Sequence, residues 1–477
     1  MRRLHFALAV MLISVASYAA TGDENFSSPS TRTVSGTEIV HYKNGPLPTD
    51  LSTATVGAFV PNGAGGYTFL AGTGTSSGTF SIPNVPSGFY LLQLGALYLW
   101  TKNTVVDADS DRGGRSDTVQ ADQNTTVTFD LTNLNVWEST DFLEMVCPNN
   151  TAFNLFFGTA GETTFTGTFP YFGALSVGTE GDQYYVFQLI TQSVNGYPFT
   201  ALGRYIAPSK FDQAQGSDTP INGELRSIVQ KHTFEANING ADLAAEALAS
   251  NPTAVLVDTG VYLDAYPGSI AKGENTSTPD MVAYNFGTGQ PFITTNGDLG
   301  PVHYGNPFPS TWPLFYLYQW LAAVQYTAPG ATNPTAIATD AYGLTPTLPT
   351  SSSPIKPLVG AVNSPSINRK SFFKDRTGVS TTPTLRWSPP KVGTATYYSI
   401  RVWQLSNNAG NTVAAPIARL DTQRTSLPIP QGLLTTGQAY VFDIMAFYIP
   451  GLNFAKTPLM SGPTFARAHV ISGMMQP

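Results

Sequence analysis

Hydrophobic and polar residues alternate at period two along most of this chain, and the clearest example lies near the C-terminus. Leu385 and Trp387 alternate there with polar neighbours. Successive side chains of a strand point to opposite faces, so the pattern predicts a half-buried β-strand. Pro389 and Pro390 end that strand, because proline cannot donate a ladder hydrogen bond. The same alternation predicts further strands at residues 398–402 and 440–446.

These C-terminal strands carry three features in a fixed order. They are a Trp in the second strand, a Tyr-x-Ile-x-Val third strand and an L-x-x-G-x-x-Y corner before the sixth, at Trp387, Tyr398, Ile400, Val402, Leu434, Gly437 and Tyr440. This order resembles a fibronectin type III domain. The resemblance implies a β-sandwich over residues 365–477 that serves as a spacer or binding module and rarely carries chemistry.

A second recognisable element lies in the first quarter of the chain. It reads G-x-F-x-I-x-x-V-P-x-G-x-Y, with a tight Pro-x-Gly turn between two strands, at Gly78, Phe80, Ile82, Val85, Pro86, Gly88 and Tyr90. It resembles the carboxypeptidase regulatory-like (transthyretin-like) domain of secreted bacterial proteins. The resemblance implies a non-catalytic prealbumin-like β-sandwich over residues 33–136. Val127, Phe129 and Leu131 alternate cleanly, and we expect their strand to close this sandwich.

Residues 137–345 form a middle block that we expect to be a mainly antiparallel β domain. Its strand candidates are apolar runs at residues 184–191, 253–267, 280–287 and 313–327. The last run could also be a buried helix, but its Tyr, Trp, Val and Thr content favours a strand. Residues 240–252 predict one short helix, with Asp242 as its cap and Pro252 just beyond it.

The overall composition fits a chain of strands and turns. Only 12% of the residues are charged and 12% are aromatic, which excludes global disorder. Repeated Pro, Ser and Thr at residues 346–364 predict a semi-extended linker without a core. The predicted fold is therefore all-β, with tandem β-sandwiches: a prealbumin-like domain, a central antiparallel domain and a fibronectin type III-like domain.

The N-terminus has the pattern of a secretory signal peptide. A short basic region precedes an apolar run and a small-residue cleavage site, which together predict a signal at residues 1–20. Residues 21–32 are polar and predict a flexible leader. No apolar run of spanning length follows, so no integral membrane segment is expected after cleavage. We expect a secreted protein, in the medium, in the periplasm or at the cell surface.

Charge and cysteine content narrow the classes of partner. The formal net charge is −7, and removal of Arg2 and Arg3 with the signal makes it −9. A chain without a basic patch is a poor partner for nucleic acid or anionic lipid. Cys147 is the single cysteine, so no internal disulfide can form, and we expect it to be a small buried hydrophobe.

Catalytic signatures of the common families are absent from the sequence. The four histidines after the signal, at positions 41, 232, 303 and 469, have no metal-ligand spacing. Two carboxylates suffice for glycoside hydrolysis, and the middle block offers several candidates: Asp141, Glu144, Asp258, Asp264, Glu274, Asp280 and Asp298. None lies in a motif, and we interpret them first as solvent-facing turn residues.

One loop of the first domain is a candidate cation site. Asp107, Asp109 and Asp111 occupy alternate positions, and Asp117 follows. Hard cations need several converging oxygens, so calcium is the cofactor that this loop would bind. Neighbouring arginines can neutralise the same carboxylates, so we favour a solvated Asp-rich turn and otherwise expect no cofactor.

Aromatic residues crowd one stretch of the middle block, residues 304–320. Trp312, Tyr316, Tyr318 and Trp320 could form a flat ligand-binding patch, because aromatic faces stack on sugar rings. The alternative, which we favour, is that they fill a sandwich core.

These observations favour a secreted, non-enzymatic binding or adhesion protein of the bacterial envelope or medium. Its partner would be a polysaccharide or another protein. The first alternative is a secreted hydrolase with its site in the central domain, which predicts two carboxylates converging in a cleft. The second is a passive spacer, which predicts neither a cleft nor an aromatic patch.

Overall fold

The computed structural model describes residues 30–62, 66–148, 152–176, 181–266, 280–286 and 292–477. Those residues form 37 strands and one helix, so the predicted all-β class is confirmed. The predicted signal peptide and most of the leader lie outside the described residues. Within the part of the chain that is described, no helix is both long and apolar enough to cross a bilayer.

The twelve strands of the first sandwich lie in several sheets, and the last of them, at residues 118–120, pairs with a strand of the middle block. They include strands that alternation predicts and short strands within the Asp-rich loop. Their bounds are β1 Thr31–Thr37, β2 Ile39–Tyr42, β3 Gly45–Pro48, β4 Val56–Pro61, β5 Tyr67–Ala71, β6 Thr73–Gly74, β7 Thr79–Pro86, β8 Tyr90–Leu94, β9 Leu97–Thr101, β10 Val105–Asp107, β11 Ser110–Asp111 and β12 Thr118–Gln120. Phe80, Ile82, Tyr90 and Leu92 are buried in its core, as their spacing requires. Gly88, with φ +123°, makes the tight turn before β8.

The middle block contains the next fifteen strands and the helix. They are β13 Thr126–Thr132, β14 Phe142–Cys147, β15 Ala152–Phe156, β16 Phe165–Pro170, β17 Ala174–Ser176, β18 Tyr185–Val194, β19 Tyr197–Ile206, β20 Asp218–Glu224, β21 Arg226–Ser227, β22 His232–Asn239, α1 Gly240–Leu248, β23 Val255–Ala265, β24 Asp280–Phe286, β25 Asn296–Tyr304, β26 Leu314–Tyr326 and β27 Thr335–Thr345. The ambiguous run at residues 313–327 is a strand, because it pairs with β23 and β27.

The strand β13 lies where alternation predicts it, but it does not close the first sandwich. It pairs with β16 and β20 of the middle block. Val127, Phe129 and Leu131 accordingly pack with Cys147 in a second core. A period of two specifies which face of a strand is buried and leaves its pairing partner open, which is why the expectation was wrong. Cys147 is buried as predicted.

The helix α1 has the predicted position and a different start. Its cap is Asn239, whose side chain makes no capping hydrogen bond, and Asp242 lies inside the first turn. The capping role expected of Asp242 is therefore wrong, although a carboxylate there still favours the positive end of the helix dipole. Leu243 and Ala247 are buried against the central core.

The last block is a two-sheet sandwich. Its strands are β28 Asn363–Ile367, β29 Lys370–Ser371, β30 Arg376–Thr377, β31 Thr384–Ser388, β32 Tyr397–Asn408, β33 Asn411–Thr422, β34 Ser426–Pro428, β35 Ala439–Tyr448, β36 Phe465–Ile471 and β37 Met475–Gln476. Trp387 packs edge-on against Tyr398 between the sheets, with ring centroids 5.3 Å apart. The hydroxyl of Tyr440 accepts the Thr435 N–H at 3.0 Å, which fixes the corner before β35.

The three blocks are joined by hydrogen-bonded strands rather than only by connecting chain. β27 of the middle block pairs antiparallel with β36 of the last. β9 of the first sandwich pairs parallel with β33, which places Leu99 opposite Asp421. Ile355 and Val359, in the stretch predicted to be a coreless linker, are buried in the central and last cores. That stretch is packed, so the blocks form a continuous assembly.

Candidate functional site

The aromatic residues predicted to bind a ligand lie mostly in the core. Tyr316, Tyr318 and Trp320 are buried, and the indole N–H of Trp320 donates to a main-chain carbonyl at 2.8 Å. Trp312 is half-buried and stacks on Phe308, with ring centroids 5.0 Å apart. These rings therefore offer no shared exposed face to a sugar.

The Asp-rich loop of the first sandwich holds its carboxylates apart. Asp109 lies 3.1 Å from the imidazole of His41, and Asp107 accepts the N–H of Asp109 at 3.0 Å. Asp117 is paired with the guanidinium of Arg115, two residues earlier. Asp111 lies in the short strand β11. No group of three metal-ligating side chains that could hold an ion occurs among the described residues.

Three of the candidate acids in the middle block meet in the interior. We call Glu144, Asp264 and Asp280 the acid cluster. Asp264 and Asp280 are cross-strand neighbours on β23 and β24. Burial raises the pKa of Glu144 well above its ordinary value, and the carboxylates of Asp280 and Asp264 raise it further. Burial also raises the pKa of Asp280 to about 6, against an opposing hydrogen bond with Asp264.

The remaining acids of that candidate set are dispersed. Asp141 is buried and accepts the Thr191 N–H at 2.9 Å, so it ties two strands together. Asp258 and Asp298 are exposed, and Glu274 lies outside the described residues. The expectation of solvent-facing turn residues is therefore wrong for Asp141 and for the acid cluster.

The acid cluster has a geometry that suits proton sharing more than glycoside hydrolysis. Asp280 borders a pocket of about 480 Å³ that also contains Tyr262 and Phe199. A retaining glycosidase separates its two carboxyl groups by about 5 Å and an inverting enzyme by more, to admit the sugar or a water. Asp264 and Asp280 are joined by a hydrogen bond, so they leave no such gap.

A different surface feature lies where the first sandwich meets the last. Phe89, at the start of β8, is 48% exposed, and it stacks on Trp100 of β9 with ring centroids 6.1 Å apart and planes 8° apart. The two rings line a cleft of about 290 Å³ with polar Lys102, Asn103 and Gln423. We call these five residues the aromatic cleft.

Cations and an unpartnered donor flank the stacked rings. The Lys102 ammonium lies 5.6 Å from the centre of the Phe89 ring, and the Arg424 guanidinium lies 5.1 Å from the centre of the Trp100 ring. The indole N–H of Trp100 is buried and has no hydrogen-bond partner among the described residues. A buried donor without a partner costs roughly 1–3 kcal/mol, so this N–H is a local cost to the fold.

The period-two pattern contains the signal for Phe89. Tyr90, Leu92 and Leu94 point into the core of the first sandwich, which directs Phe89 to the opposite face. Residues 90, 92 and 94 identify the strand and its core-facing side, and the alternate positions identify the opposite side, where Phe89 lies. The other face is covered by the last block over most of its area, and Leu91 is buried there. Only the coordinates show that the cover ends before Phe89.

A second pocket, of about 310 Å³, lies on the outer face of the last sandwich. It contains Arg401, Arg419, Arg467 and His469, which we call the basic pocket. Arg467 and His469 alternate with Ala466, Ala468 and Val470 of the core. A strand with small apolar residues on one face and cationic residues on the other is the signal that the sequence offered.

Buried carboxylates organise the basic pocket. Asp340 accepts two hydrogen bonds of 2.8 Å from Arg467. His469 lies between Asp443, at 2.9 Å, and Asp340, at 3.1 Å. Burial alone would lower the pKa of His469, but the two carboxylates outweigh it and raise the pKa to about 9. We call Asp340, Asp443, Arg467 and His469 the ion-pair cluster.

Comparisons with known proteins give no family for this chain. No protein-family model matches it, and no curated protein matches it. Among solved structures, the FN1–FN3 domains of chicken CNTN1 align at 12% identity over 76% of this chain and 98% of that one, with a TM-score of 0.13. Two B repeat units of the collagen binding protein of Staphylococcus aureus align at 10% identity over 92% and 100%, with a TM-score of 0.11. Scores of this size carry no argument about function.

Proposed function

We propose that this protein is a secreted, non-enzymatic binding protein that holds a polysaccharide in the aromatic cleft. In this proposal the first sandwich is a carboxypeptidase regulatory-like module and the last is a fibronectin type III-like module. The setting would be the bacterial envelope or medium, where such a protein serves adhesion or capture.

The observation that carries the proposal is the half-exposed Phe89 ring stacked on Trp100. An aromatic face presents a flat apolar surface to the C–H face of a sugar, and nearby polar groups fix its orientation. Asn103 and Gln423 lie in the same cleft. Their amide N–H groups donate to the Ala455 and Thr396 carbonyls, so their amide oxygens are the groups that a sugar hydroxyl would bind.

The proposal is tested with the full chain lacking residues 1–20, on a glycan array and then by calorimetry. Phe89→Ala removes the platform and should weaken polysaccharide binding about tenfold, which corresponds to about 1.4 kcal/mol. Trp100→Phe keeps a smaller ring behind Phe89, and should weaken binding less than Phe89→Ala does.

Phe172→Ala is the matched control, because Phe172 is 70% exposed and lies in the middle block. It should bind like the parent chain. Equal affinity of the parent and Phe89→Ala, or no glycan binding by any form, would contradict the proposal.

One observation favours a second candidate, a hydrolase of the middle block. Asp280 has a pKa raised to about 6 by burial and lies at the edge of a pocket, and an acid of that kind can transfer protons near neutral pH. Release of reducing ends from a polysaccharide, lost in Asp280→Asn and retained in Phe89→Ala, would reverse the ranking.

A further inference from the structure

Most charged residues that line the basic pocket are basic, although the net charge of the protein is negative. Four of the residues around it are basic, namely Arg401, Arg419, Arg467 and His469, and Asp340 is the one acid among its lining residues as described. The whole chain carries a formal charge of −7. The lining therefore has more basic than acidic groups, although Asp340, Asp421 and Asp443 are paired with three of those bases.

Charge is separated by depth in this pocket. Asp421 is fully buried, whereas the Arg419 side chain that it pairs with at 2.8 Å is 43% exposed. Asp443 is likewise buried beneath the opening and is the cross-strand neighbour of Arg401. Asp421 thus holds the Arg419 guanidinium from the buried side, and the exposed side chain of Arg419 lines the pocket. Planar guanidinium forks suit carboxylate and related oxyanions.

The basic pocket and the aromatic cleft are neighbours. The loop at residues 449–464 separates them, with Phe454 and Ala455 on the cleft side and Met460 on the pocket side. The chain from Arg419 in β33 to Gln423, just past the end of that strand, links them as well, because Arg419 lines the pocket and Gln423 lines the cleft. Four residues of extended chain span roughly 13 Å, at about 3.3 Å per residue. Several linked sugar units are needed to span that distance.

The apolar walls of the pocket are closed. Phe447 and Phe465 line it beside the arginines, but they are only 7% and 5% exposed, so they shape the pocket and offer no face for stacking. Recognition therefore falls to the arginines, whose planar guanidinium groups suit a carboxylate.

We infer that the polysaccharide is acidic, with a uronate carboxylate in the basic pocket while another sugar ring of the same polymer lies in the aromatic cleft. This inference rests on the proposed function. It assigns to Arg419 and Arg401 the recognition of charge, and to Phe89 the recognition of the ring.

The experiment compares oligogalacturonate with its methyl ester, two ligands with one backbone that differ in charge. The full chain lacking residues 1–20 should bind the free acid at least about tenfold more tightly than the ester. Arg419→Gln should abolish that preference. Arg401→Gln provides a second variant, in case Arg419→Gln unfolds the chain by leaving Asp421 unpaired. Arg386→Gln, at an exposed arginine of β31, is the matched control and should keep the preference.

The outcomes separate the inference from the function on which it rests. Equal binding of acid and ester, both weakened by Phe89→Ala, would overturn the inference and leave the proposed function intact. Failure of every polysaccharide to bind would remove both. Tighter binding of a sulfated polymer than of oligogalacturonate, sensitive to Arg419→Gln, would overturn the assignment to a carboxylate.

Discussion

The acid cluster and the ion-pair cluster are two buried groups of charged residues on one hydrogen-bonded sheet, and they are built in opposite ways. Glu144, Asp264 and Asp280 place like groups together, so protonation is the means by which they avoid repulsion. The ion-pair cluster alternates acids with bases, and Asp340 accepts two hydrogen bonds from Arg467. Burial therefore keeps a proton on the first cluster. In the second cluster the charges remain, and burial costs only their desolvation.

This difference teaches that burial alone does not indicate function. The acid cluster has the perturbed pKa values that often mark an active site, but its geometry leaves no gap for a glycosidic bond. The ion-pair cluster makes ordinary pairs, but it positions the cationic groups of the basic pocket. The basic pocket, as a candidate binding surface, is thus supported by the ion-pair cluster, in which acids are paired with bases.

The largest loss of stability is expected from breaking the ion-pair cluster. Asp340→Ala leaves Arg467 and His469 buried without this carboxylate, and should lower the free energy of unfolding by about 3–5 kcal/mol. Urea denaturation at pH 7 measures it. Asp130→Ala, at an exposed acid of β13, should change it by less than about 0.5 kcal/mol. A loss of under about 1 kcal/mol for Asp340→Ala would mean that the cluster is weakly coupled to the fold.

The second effect is the pH dependence that His469 contributes. Its pKa is raised to about 9 in the folded chain, above the ordinary value near 6.5. Its stabilisation is therefore complete below pH 6.5 and is lost as the pH rises through 9, by on the order of 3 kcal/mol. His469→Gln should flatten the stability profile between pH 6.5 and 9. A profile that is unchanged in the variant would contradict the assignment.

The third effect comes from the acid cluster, and here the substitution should raise the free energy of unfolding instead of lowering it. Glu144→Gln keeps the shape and removes the acid, so it should raise the free energy of unfolding at pH 7 by on the order of 1–2 kcal/mol. The parent should lose stability as the pH rises from about 4 to about 6, because the pKa values of Glu144 and Asp280 are raised. The variant should lose less. Glu138→Gln, at an exposed acid, is the control, and a destabilised Glu144→Gln would show that the carboxyl group has an essential partner.

The smallest effect is expected from the Asp-rich loop. Asp117→Asn weakens the pair between the partly exposed Asp117 and the largely buried Arg115, and should cost on the order of 1 kcal/mol. A cation bound there would stabilise the folded chain, and a chelator would then lower its melting temperature. Because we favour a solvated turn over a cation site, we expect a chelator to leave the melting temperature unchanged. A drop in melting temperature on addition of a chelator would support calcium binding by Asp107, Asp109, Asp111 and Asp117.

The sequence predicts most of the strands and little of their pairing. Alternation at Leu385 and Trp387 predicts a strand with a buried face, and both residues are buried. The same logic fails for β13, whose partners are chosen by long-range packing that period two does not encode. The local pattern therefore identifies elements and their faces, but not the neighbours that each face meets.

The candidate sites follow the same division. Phe89 and His469 could be found from alternation, because each faces away from a row of core residues. The acid cluster could not, because it needs β14, β23 and β24 to meet across a wide separation in sequence. The aromatic stretch around Trp320 left two interpretations open, because a large ring has the same composition signal in a core as on a surface, and the favoured core interpretation holds for Tyr316, Tyr318 and Trp320.

The parallel pairing of β9 with β33 has a consequence for how the chain reaches its fold. The first sandwich can collapse early, yet its outer face waits uncovered until the final strands have been synthesised. Contacts between opposite ends of a chain are slow to form, and an exposed apolar face is prone to aggregate meanwhile. A ribosome-stalled or truncated form that ends before β33 should therefore require a chaperone, and this requirement should disappear once the last block is present.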